Sequence, residues 1–546
     1  MTPLHSRFSR LTLTLTLAAG AVCGPSPLQA QGTPPAGDVV LRLKGGGFEI
    51  GGTLRAFDGA RYVIDSRQNG RMTLNAARYE CIGETCTSAP SAASLGFERL
   101  YAERAETVAI KGPDGPATIL LPALLRGYAE SGGMELVPVL GSKSAPHELR
   151  LLDDKGERLA SLELAPTGTA PGIEAVRDGI AAIALADRRA TAAETQALTG
   201  ARTRLPGARS EYALGQDGLA VIVAPTNPVP ALALDTIARI LVGEIGDWYE
   251  LGLPPGRITV HLRDDASSQP ARIAELLLTP RRLALGAAIT RHATDAALAD
   301  TVARDAQGFG LGSLAAVRSA RTGNLETSCG LQLRPTAFGV KSGEYPLSLP
   351  LYLYAAAPPK EAAARGLLRF LDTGAAASVI DQAGFMSQAP SAVGLDQQAE
   401  RLAHATNAQG EAFELSEMRA LLVDLKGWKR LSITFRLPPG STTADARTRA
   451  EAERLVAFMQ APENKTRRIF LTGFTDVDGG KFQANLSHSY KRASLLRQIV
   501  AGVGGPSLDS RRITTKGYGP LAPIACNDSA DGRTLNRRVE VWASGE

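Results

Sequence analysis

The segment that holds Asp476 and Arg492 constrains the fold of this chain more than any other part of it. A buried strand marked by Ile469 and Leu471 ends at Asp476, and Arg492 follows within a predicted helix. Loops that follow the strands of α/β units collect ligands, so this order could place the acid and the base at opposite ends of one shallow pocket. Asp476 would hold an ammonium group and Arg492 a carboxylate, which together suit a small zwitterion. Taken alone, the two residues also fit a turn cap and a solvated helix residue.

The sequence on both sides of this segment predicts a β-α-β-α-β-β sandwich over residues 410–546. Residues 431–435 alternate as a strand, and Ser441 or Thr443 can cap a helix that runs to Met459. The later elements are a helix with Tyr490, Ala493, Leu496 and Val500 on one face, ended by Gly502 and Gly504, and strands at 513–518 and 538–542.

A set of short motifs in this region resembles the C-terminal domain of the OmpA family, over residues 430–543. The motifs are Gly473-Phe474-Thr475-Asp476, Gly479, Asn485, Ser489, Arg492-Ala493, Gly517-Tyr518-Gly519, Pro523-Ile524-Ala525, Asn527-Asp528, Gly532-Arg533 and Asn536-Arg537-Arg538-Val539-Glu540. The resemblance implies non-covalent binding of peptidoglycan through its diaminopimelate, with Asp476 and Arg492 as the matched contacts. Thr475, Asn485 and Arg537 complete the implied site.

The chain departs from the OmpA pattern at two places and leaves one assignment open. Phe474 stands where the family commonly has His, and the loop from Asp476 to Asn485 is one residue longer than usual. Arg537 and Arg538 both offer charge, and we expect one of them to be structural.

Residues 100–395 alternate strand-like and helix-like runs, which is typical of an α/β sheet covered on both faces. Residues 219–223 predict a buried strand, 234–241 a short amphipathic helix and 258–262 another strand. The length suits two lobes, and 388–398 are interpreted as a hinge or linker.

Several of these runs are similar to the phosphate-binding periplasmic proteins of ABC transporters, over about residues 105–390. The matching runs are 219–223, Asn227-Pro228, 234–245, Trp248, Tyr345-Pro346-Leu347-Ser348 and 351–354. Such proteins close two lobes around an oxyanion. Carried over by motif, the implied oxyanion contacts are Thr118, Thr169, Arg263 and Ser267.

The ligand positions match that family only in part. Ser268-Gln269 follows Ser267 where the family has Gly-Thr, Pro116 and Pro171 enter the two N-terminal loops, and Ala182 stands where an Asp that senses the phosphate proton is expected. Three interpretations remain open: the domain binds phosphate by another geometry, it binds a different oxyanion or small ligand, or its cleft is vestigial and it serves as a scaffold for a partner.

The N-terminal residues 1–30 predict an export signal. Arg7 and Arg10 form a basic start, the apolar run that follows is too short to span a bilayer, and Ala30 suits cleavage. Cys23 permits a lipoprotein alternative, although Val22 before it fits that pattern poorly. No later run is long and apolar enough to span a bilayer, so we expect a soluble mature chain.

Residues 38–88 alternate apolar and polar positions and predict a small all-β module. Hairpin turns are expected at Asp58-Gly59 and Asn69-Gly70, and the Ser/Ala-rich run 87–94 is expected to be a linker. In an exported chain Cys81 and Cys86 predict a local disulfide. Cys329 and Cys526 could be free or bridged.

Charge and motif content exclude two classes of function. The formal charge is +5, and +3 after loss of Arg7 and Arg10, with no clustered basic face, so nucleic acid is not an expected partner. The histidines are scattered, no catalytic motif is present, and Asp264-Asp265 are expected to be solvated, so no enzymatic activity, metal or cofactor is predicted.

We therefore predict an α/β multidomain protein with three folded parts: the β module, a two-lobed domain at 100–395 and an OmpA-like domain at 410–546. Its predicted function is that of a periplasmic, peptidoglycan-anchored solute-binding-type protein, with phosphate or another small oxyanion as ligand. The resemblance also allows outer-membrane association and an envelope protein partner. The alternative is a structural envelope protein.

Overall fold

The computed structural model describes residues 38–44, 49–57, 61–66, 70–86, 106–139, 147–200, 210–265, 267–355, 358–406, 414–436, 445–477 and 481–545. The predicted export signal, Cys23, the linker 87–94, the cap at Ser441 or Thr443 and all or part of both hairpin turns lie outside these residues. The chain divides into two compact units, 1–104 and 105–546. Within the described residues, no helix combines the length and the apolar character that a bilayer crossing requires.

The N-terminal unit is an antiparallel sheet with the strand order β4-β3-β2-β1-β5. Its strands are β1 Asp38–Leu43, β2 Glu49–Phe57, β3 Arg61–Ser66, β4 Gly70–Asn75 and β5 Tyr79–Ile82. Val39, Leu41 and Ile64 are fully buried on one face, as the alternation predicts. A disulfide joins Cys81 to Cys86 at the end of β5, which confirms the predicted pairing.

The second unit begins with a mixed sheet in the order β14-β13-β15-β11-β19-β10-β6-β9-β8-β7, and β16 and β20 also pair with β11. The strands of this sheet are β6 Glu106–Gly112, β7 Glu135–Pro138, β8 His147–Leu152, β9 Arg158–Pro166, β10 Ile183–Ala186, β11 Glu211–Val223, β13 Thr259–Arg263, β14 Ile289–His292, β15 Gly308–Ser313, β16 Arg321–Thr322, β19 Ser348–Ala355 and β20 Met386–Ser387. A separate small sheet is formed by β12 Leu232–Ala233, β17 Leu325–Glu326 and β18 Gln332–Leu333. The helices are α1 Asp114–Thr118, α2 Leu120–Ser131, α3 Thr169–Arg177, α4 Ala192–Gly200, α5 Leu234–Val242, α6 Gln269–Ile273, α7 Asp295–Arg304, α8 Ala337–Lys341, α9 Ala362–Phe370 and α10 Gly374–Gln382.

Two separate hydrophobic cores define the two lobes of this region. The first lobe packs around Leu120, Ile183 and Leu353, and the second around Ile237 and Leu262. The long strands β11 and β19 pair along their length and run through both lobes. The predicted two-lobed α/β arrangement is therefore present, and the space between the lobes is a cleft.

The C-terminal part forms a five-stranded sheet in the order β21-β22-β25-β23-β24. Its elements are β21 Ala392–Val393, α11 Ala399–Thr406, α12 Leu415–Asp424, β22 Trp428–Phe435, α13 Ala446–Gln460, β23 Ile469–Gly473, α14 Phe482–Gly504, β24 Ile513–Gly517, α15 Ala530–Asn536 and β25 Val539–Ser544. This contains the predicted β-α-β-α-β-β succession, with β21, α11 and α12 added before it and a short extra helix, α15, before the last strand.

The buried face of α14 differs from the prediction at one position. Ala493, Leu496 and Val500 are buried as expected, but Tyr490 is 52% exposed and Ser489 takes the buried position. The helix approaches the sheet so closely at Ser489 that only a small side chain fits there. The apolar periodicity alone does not reveal this contact.

The segment 388–398, predicted to be a hinge or linker, is packed against the C-terminal sheet. Its strand β21 pairs with β22, the amide of Ser391 donates to Oγ of Ser432 at 3.0 Å, and Gln398 is buried. A second disulfide, Cys329–Cys526, joins the second lobe to the C-terminal part. Sequence left the state of these two cysteines open, and the structure pairs them.

Candidate functional site

Two glycines decide how α14 meets the sheet at the predicted peptidoglycan site. Gly473 ends β23 and lies opposite Gly517 of the parallel strand β24. A Cβ on Gly473 would lie 2.0 Å from the carbonyl oxygen of Ser489, and one on Gly517 would lie 2.4 Å from Oγ of Ser489. Neither glycine can therefore carry a side chain without moving the helix. The close approach brings Arg492, one turn further along α14, to the end of β23.

Asp476 lies just beyond β23 and forms an ion pair with Arg537. The residue is 7% exposed, and Nη1 of Arg537 donates to Oδ2 of its carboxylate at 2.6 Å. Nη2 of Arg537 donates to Oγ1 of Thr534 at 2.7 Å, which orients the guanidinium. The direct partner of Asp476 is thus Arg537, and Arg492 is held separately.

Arg492 is half-buried on α14, within electrostatic reach of both residues of that pair. Burial lowers the pKa of its guanidinium and Arg537 lowers it further, while Asp476 opposes both effects. Its Nη1 donates to the carbonyl oxygen of Phe474 at 3.4 Å. A guanidinium offers a fork of donors, and among the residues that the structure describes most of this fork is left to receive a carboxylate.

Thr475 and Asn485 lie on either side of Gly519. The amide of Thr475 donates to the carbonyl oxygen of Gly519 at 2.8 Å, and a Cβ on Gly519 would lie 3.6 Å from Cβ of Asn485. In the described residues, Oγ1 of Thr475 is buried without a hydrogen-bond partner. The structure therefore groups Thr475, Asp476, Arg492 and Arg537 at the end of β23, with Asn485 beside them.

Arg538 is the structural member of the Arg537-Arg538 pair. Its side chain is fully buried, its guanidinium carbon lies 4.3 Å from the centre of the Phe474 ring, and Nε donates to Oε1 of Glu540 at 2.8 Å. Burial would raise the pKa of Glu540, but Arg401, Arg430 and Arg538 around it lower it. The expectation that one of the two arginines is structural is met by Arg538.

Asn527 supports the site, although sequence offered it only as part of the Asn527-Asp528 motif and gave it no role. Its Oδ1 accepts from the amide of Val477 at 3.2 Å and from Nδ2 of Asn536 at 3.0 Å. The neighbouring Cys526 carries the disulfide to the second lobe. The chain next to Asp476 is therefore connected, through Asn527, to a covalent cross-link.

The cleft between the lobes contains a small cavity of about 40 Å³ that is rich in carboxylates. Asp114 and Asp187 of the first lobe, Asp217 on β11, and Asp295 of the second lobe all line it. Arg272 also lines it, and this arginine forms an ion pair with Glu275. The charged residues in the cavity wall are thus mostly acidic.

Arg263, the predicted oxyanion contact, is fully engaged by the protein itself. Its side chain is 4% exposed, and its guanidinium pairs with Asp295 at 2.6 Å and with Asp114 across the cleft. Nε and Nη2 also donate to the carbonyl oxygens of His292 and Ala293. Asp114 therefore occupies a donor of Arg263 that an anionic ligand would need.

Of the hydroxyl groups predicted to bind an oxyanion, that of Thr169 is taken by a carboxylate. Oγ1 of Thr169 donates to Oδ1 of Asp187 at 2.7 Å, and Oγ of Ser268, a departure from the family pattern, donates to Oδ2 of the same carboxylate at 2.7 Å. The predicted Ser267 is buried at the cavity, and its Oγ accepts from the amide of Gln269 at 3.2 Å. Asp187 therefore receives two hydroxyl donors, one of them a predicted contact.

Thr118 is not brought into this group. It is exposed at the end of α1, and its Oγ1 donates to the carbonyl oxygen of Gly115 within its own helix at 3.1 Å. Pro116, noted as an intrusion, does line the cavity.

Sequence reasoning missed the carboxylates that dominate the cleft. Ala182 packs at the start of β10, but Asp187 follows the other end of that strand and supplies an acid to the cleft. An acid directly after a fully buried strand was a readable signal. Burial raises the pKa of Asp217 to about 6, against the opposing hydrogen bonds from Oγ of Ser313 and the amide of Gly218.

Comparison with known proteins assigns the two parts of the second unit separately. A family model described as a PBP superfamily domain matches residues 155–373. Motility protein B of Bacillus subtilis is 38% identical over 81 residues, 14% of this chain and 30% of that protein. Outer membrane protein A of Bordetella avium is 40% identical over 77 residues, 14% of this chain and 38% of that protein. The chain thus spans about a third of the length of these curated relatives.

Solved structures similar to this chain include an ABC-type phosphate transport receptor from Vibrio cholerae, with 20% identity, a TM-score of 0.38 and coverage of 51% of this chain and 99% of the receptor. The peptidoglycan-associated lipoprotein from Burkholderia pseudomallei has 20% identity, a TM-score of 0.18 and coverage of 20% of this chain and 89% of the lipoprotein. The family model and the curated relatives show that this chain has a PBP-like domain at 155–373 and a C-terminal segment similar to OmpA and Motility protein B.

Proposed function

We propose that this chain is a periplasmic protein that its C-terminal part, residues 410–546, anchors to peptidoglycan. The observation that carries the proposal is the grouping of Thr475, Asp476, Arg492 and Arg537 at the end of β23. This grouping lies in the part of the chain that is homologous to OmpA.

In this proposal Asp476 and Arg492 bind different groups of diaminopimelate. Asp476 is nearly buried and would receive the ammonium group, with Arg537 holding the carboxylate in place. Arg492 would receive the carboxylate, because most of its donors are uncommitted in the described structure and its burial strengthens a charge-assisted hydrogen bond. Phe474, where the family commonly has His, is buried beneath Arg538, so that departure alters the packing under the site.

The test is co-sedimentation of the mature protein with purified peptidoglycan. Asp476→Asn and Arg492→Gln should each lower the affinity about tenfold or more, because each leaves a charged ligand group without its partner. Arg511→Gln is the matched control, since Arg511 is exposed in the same part of the chain and pairs with Asp509. Wild-type sedimentation by both site variants would contradict the anchor.

For the middle domain, the occupied cleft favours the scaffold alternative over an open oxyanion receptor. The guanidinium of Arg263 and the hydroxyls of Thr169 and Ser268 are satisfied by the chain's own carboxylates. An added anion would have to displace these contacts and would face the remaining acids. In this proposal the domain is a closed platform, carried by the anchor, for an envelope protein partner.

Calorimetric titration with phosphate and with sulfate distinguishes the two functions. The scaffold predicts no saturable heat up to about 1 mM of either anion, an affinity that corresponds to only about 4 kcal/mol. Saturable binding tighter than that would restore the solute-binding function and leave the wall anchor unaffected.

A further inference from the structure

A second, larger cavity lies where the second lobe meets the C-terminal part. Its volume is about 440 Å³, within the range of about 300–1,000 Å³ that is typical of small-molecule sites. From its walls and its charge, we infer that this junction cavity binds a small carboxylate with an apolar body.

The walls of the junction cavity are largely apolar and come from three parts of the chain. The second lobe, the segment after it and the C-terminal part contribute Leu331, Leu333, Phe338, Tyr345, Val393 and Ile524. Such walls favour an alkyl chain or a ring by removing its surface from water.

The charged residues at the cavity carry an excess of positive charge. Arg401 and Arg430 line it, with side chains that are 10% and 1% exposed, and Glu344 lines it beside Arg430. Behind them the fully buried Glu540 pairs with Arg401 at 2.6 Å and with Arg538 at 2.6 Å. Arg334 and Glu400 also line the cavity and pair with each other at 3.0 Å, so they add no net charge. Arg401, Arg430 and Arg538 share Glu344 and Glu540, so one positive charge is uncompensated in a setting of low dielectric constant.

Three donor atoms of residues that line this cavity have no hydrogen-bond acceptor in the described structure: Nε of Arg401, Nε of Arg430 and Oγ of Ser391. All three are covered by neighbouring atoms, so a ligand would reach them only through a small shift of the side chains. An acceptor that carries one negative charge would offset the charge excess and, after such a shift, accept from these donors. The excess positive charge would repel a cation. A doubly charged anion would lose more hydration free energy on entering the cavity than its attraction to one positive charge would return.

The second disulfide holds the junction cavity together. Leu331 comes two residues after Cys329, and Ile524 two residues before Cys526, so the cross-link ties two of the walls to each other. A preformed cavity lowers the ordering cost of binding.

Calorimetry with octanoate, 1-octanol and octylamine tests the assignment on the mature, oxidised protein. The three probes share a chain length and differ in the head group. Octanoate should bind about tenfold tighter than 1-octanol, and octylamine should bind most weakly, because the head group meets the excess positive charge. No binding of octanoate, or equal binding of the three probes, would refute the proposal.

Two variants locate the binding and its charge preference. Ala337 lines the cavity and is exposed, so Ala337→Trp should fill it and weaken octanoate binding about tenfold or more, whereas Ala392→Trp adds the same ring at an exposed position outside the lining. Arg401→Gln should remove the preference for octanoate over 1-octanol while 1-octanol still binds, which shows that the cavity is intact. Octanoate binding that survives Ala337→Trp, or a head-group preference that survives Arg401→Gln, would refute the site. Wild-type sedimentation of Ala337→Trp with peptidoglycan verifies its fold.

Discussion

The proposed peptidoglycan site and the inter-lobe cleft use the same residue types with opposite charge balance. At the end of β23 one carboxylate, Asp476, faces two guanidinium groups, and that of Arg492 keeps uncommitted donors among the described residues. In the cleft, Arg263 is shared between Asp114 and Asp295, and further acids line the wall.

This comparison shows that an acid and an arginine near each other do not by themselves make a binding site. What matters is whether the contacts within the protein leave a buried hydrogen-bond donor unpaired, so that it can bind a ligand. By that criterion Arg492 still has donors for an anion, whereas the donors of Arg263 are already paired with the chain's own carboxylates and carbonyl oxygens.

The largest effect should come from replacing Arg263, whose guanidinium is fully engaged by groups of the cleft. Arg263→Met leaves Asp114 and Asp295 buried without their partner, and we expect a loss of about 3–5 kcal/mol in the free energy of unfolding. Urea unfolding measures it. Arg318→Met is the control, because Arg318 forms an exposed ion pair with Asp300 and should cost less than about 1 kcal/mol. Equal losses for both variants would mean that the cleft is not closed by these contacts.

A smaller effect concerns the pH dependence of stability. Asp217 has a folded pKa of about 6, above its unfolded value, so the folded state binds its proton more tightly. Stability should therefore fall as the pH rises from about 4 to about 6, by about 2–3 kcal/mol for this group. Asp217→Asn should remove that contribution in urea unfolding followed across this range. An unchanged pH profile in the variant would contradict the raised pKa.

The cleft should gain anion binding when carboxylates that occupy its donors are removed. Asp114→Ala combined with Asp187→Ala removes one of the two carboxylates on Arg263 and releases the hydroxyls of Thr169 and Ser268, while Asp295 still pairs with Arg263. We expect sulfate binding to appear with a dissociation constant of about 1 mM by calorimetry. Asp264→Ala combined with Asp265→Ala removes the same charge without releasing those donors. If both double variants bind sulfate alike, net charge is the cause, and if neither binds, the cleft is not a latent anion site.

The smallest effect should come from the disulfide near the anchor. Cys329→Ser with Cys526→Ser loosens the chain that carries Asn527, and we expect peptidoglycan affinity to fall about threefold. Cys81→Ser with Cys86→Ser is the control, because that disulfide belongs to the N-terminal unit. Equal sedimentation of the two double variants would mean that the Cys329–Cys526 disulfide does not affect peptidoglycan binding.

The sequence by itself determined the features that depend on local pattern. Alternation predicted the β module and β22, the spacing of apolar residues predicted α14 up to Gly504, and the close pair Cys81 and Cys86 predicted its disulfide. Resemblance then brought the residues at the end of β23 into one hypothesis. These signals are readable because neighbours in sequence are neighbours in the element.

Only the tertiary structure decided which charged groups meet. It paired Asp476 with Arg537, buried Arg538 against Glu540 and joined Cys329 to Cys526. It also placed Asp114, from the other lobe, on Arg263. These partners are far apart in the chain, and their meeting depends on how helices and lobes pack, as the close approach of α14 to Gly473 and Gly517 shows. A linear pattern identifies the residues that can bind a ligand, but packing determines which of them the protein has already used.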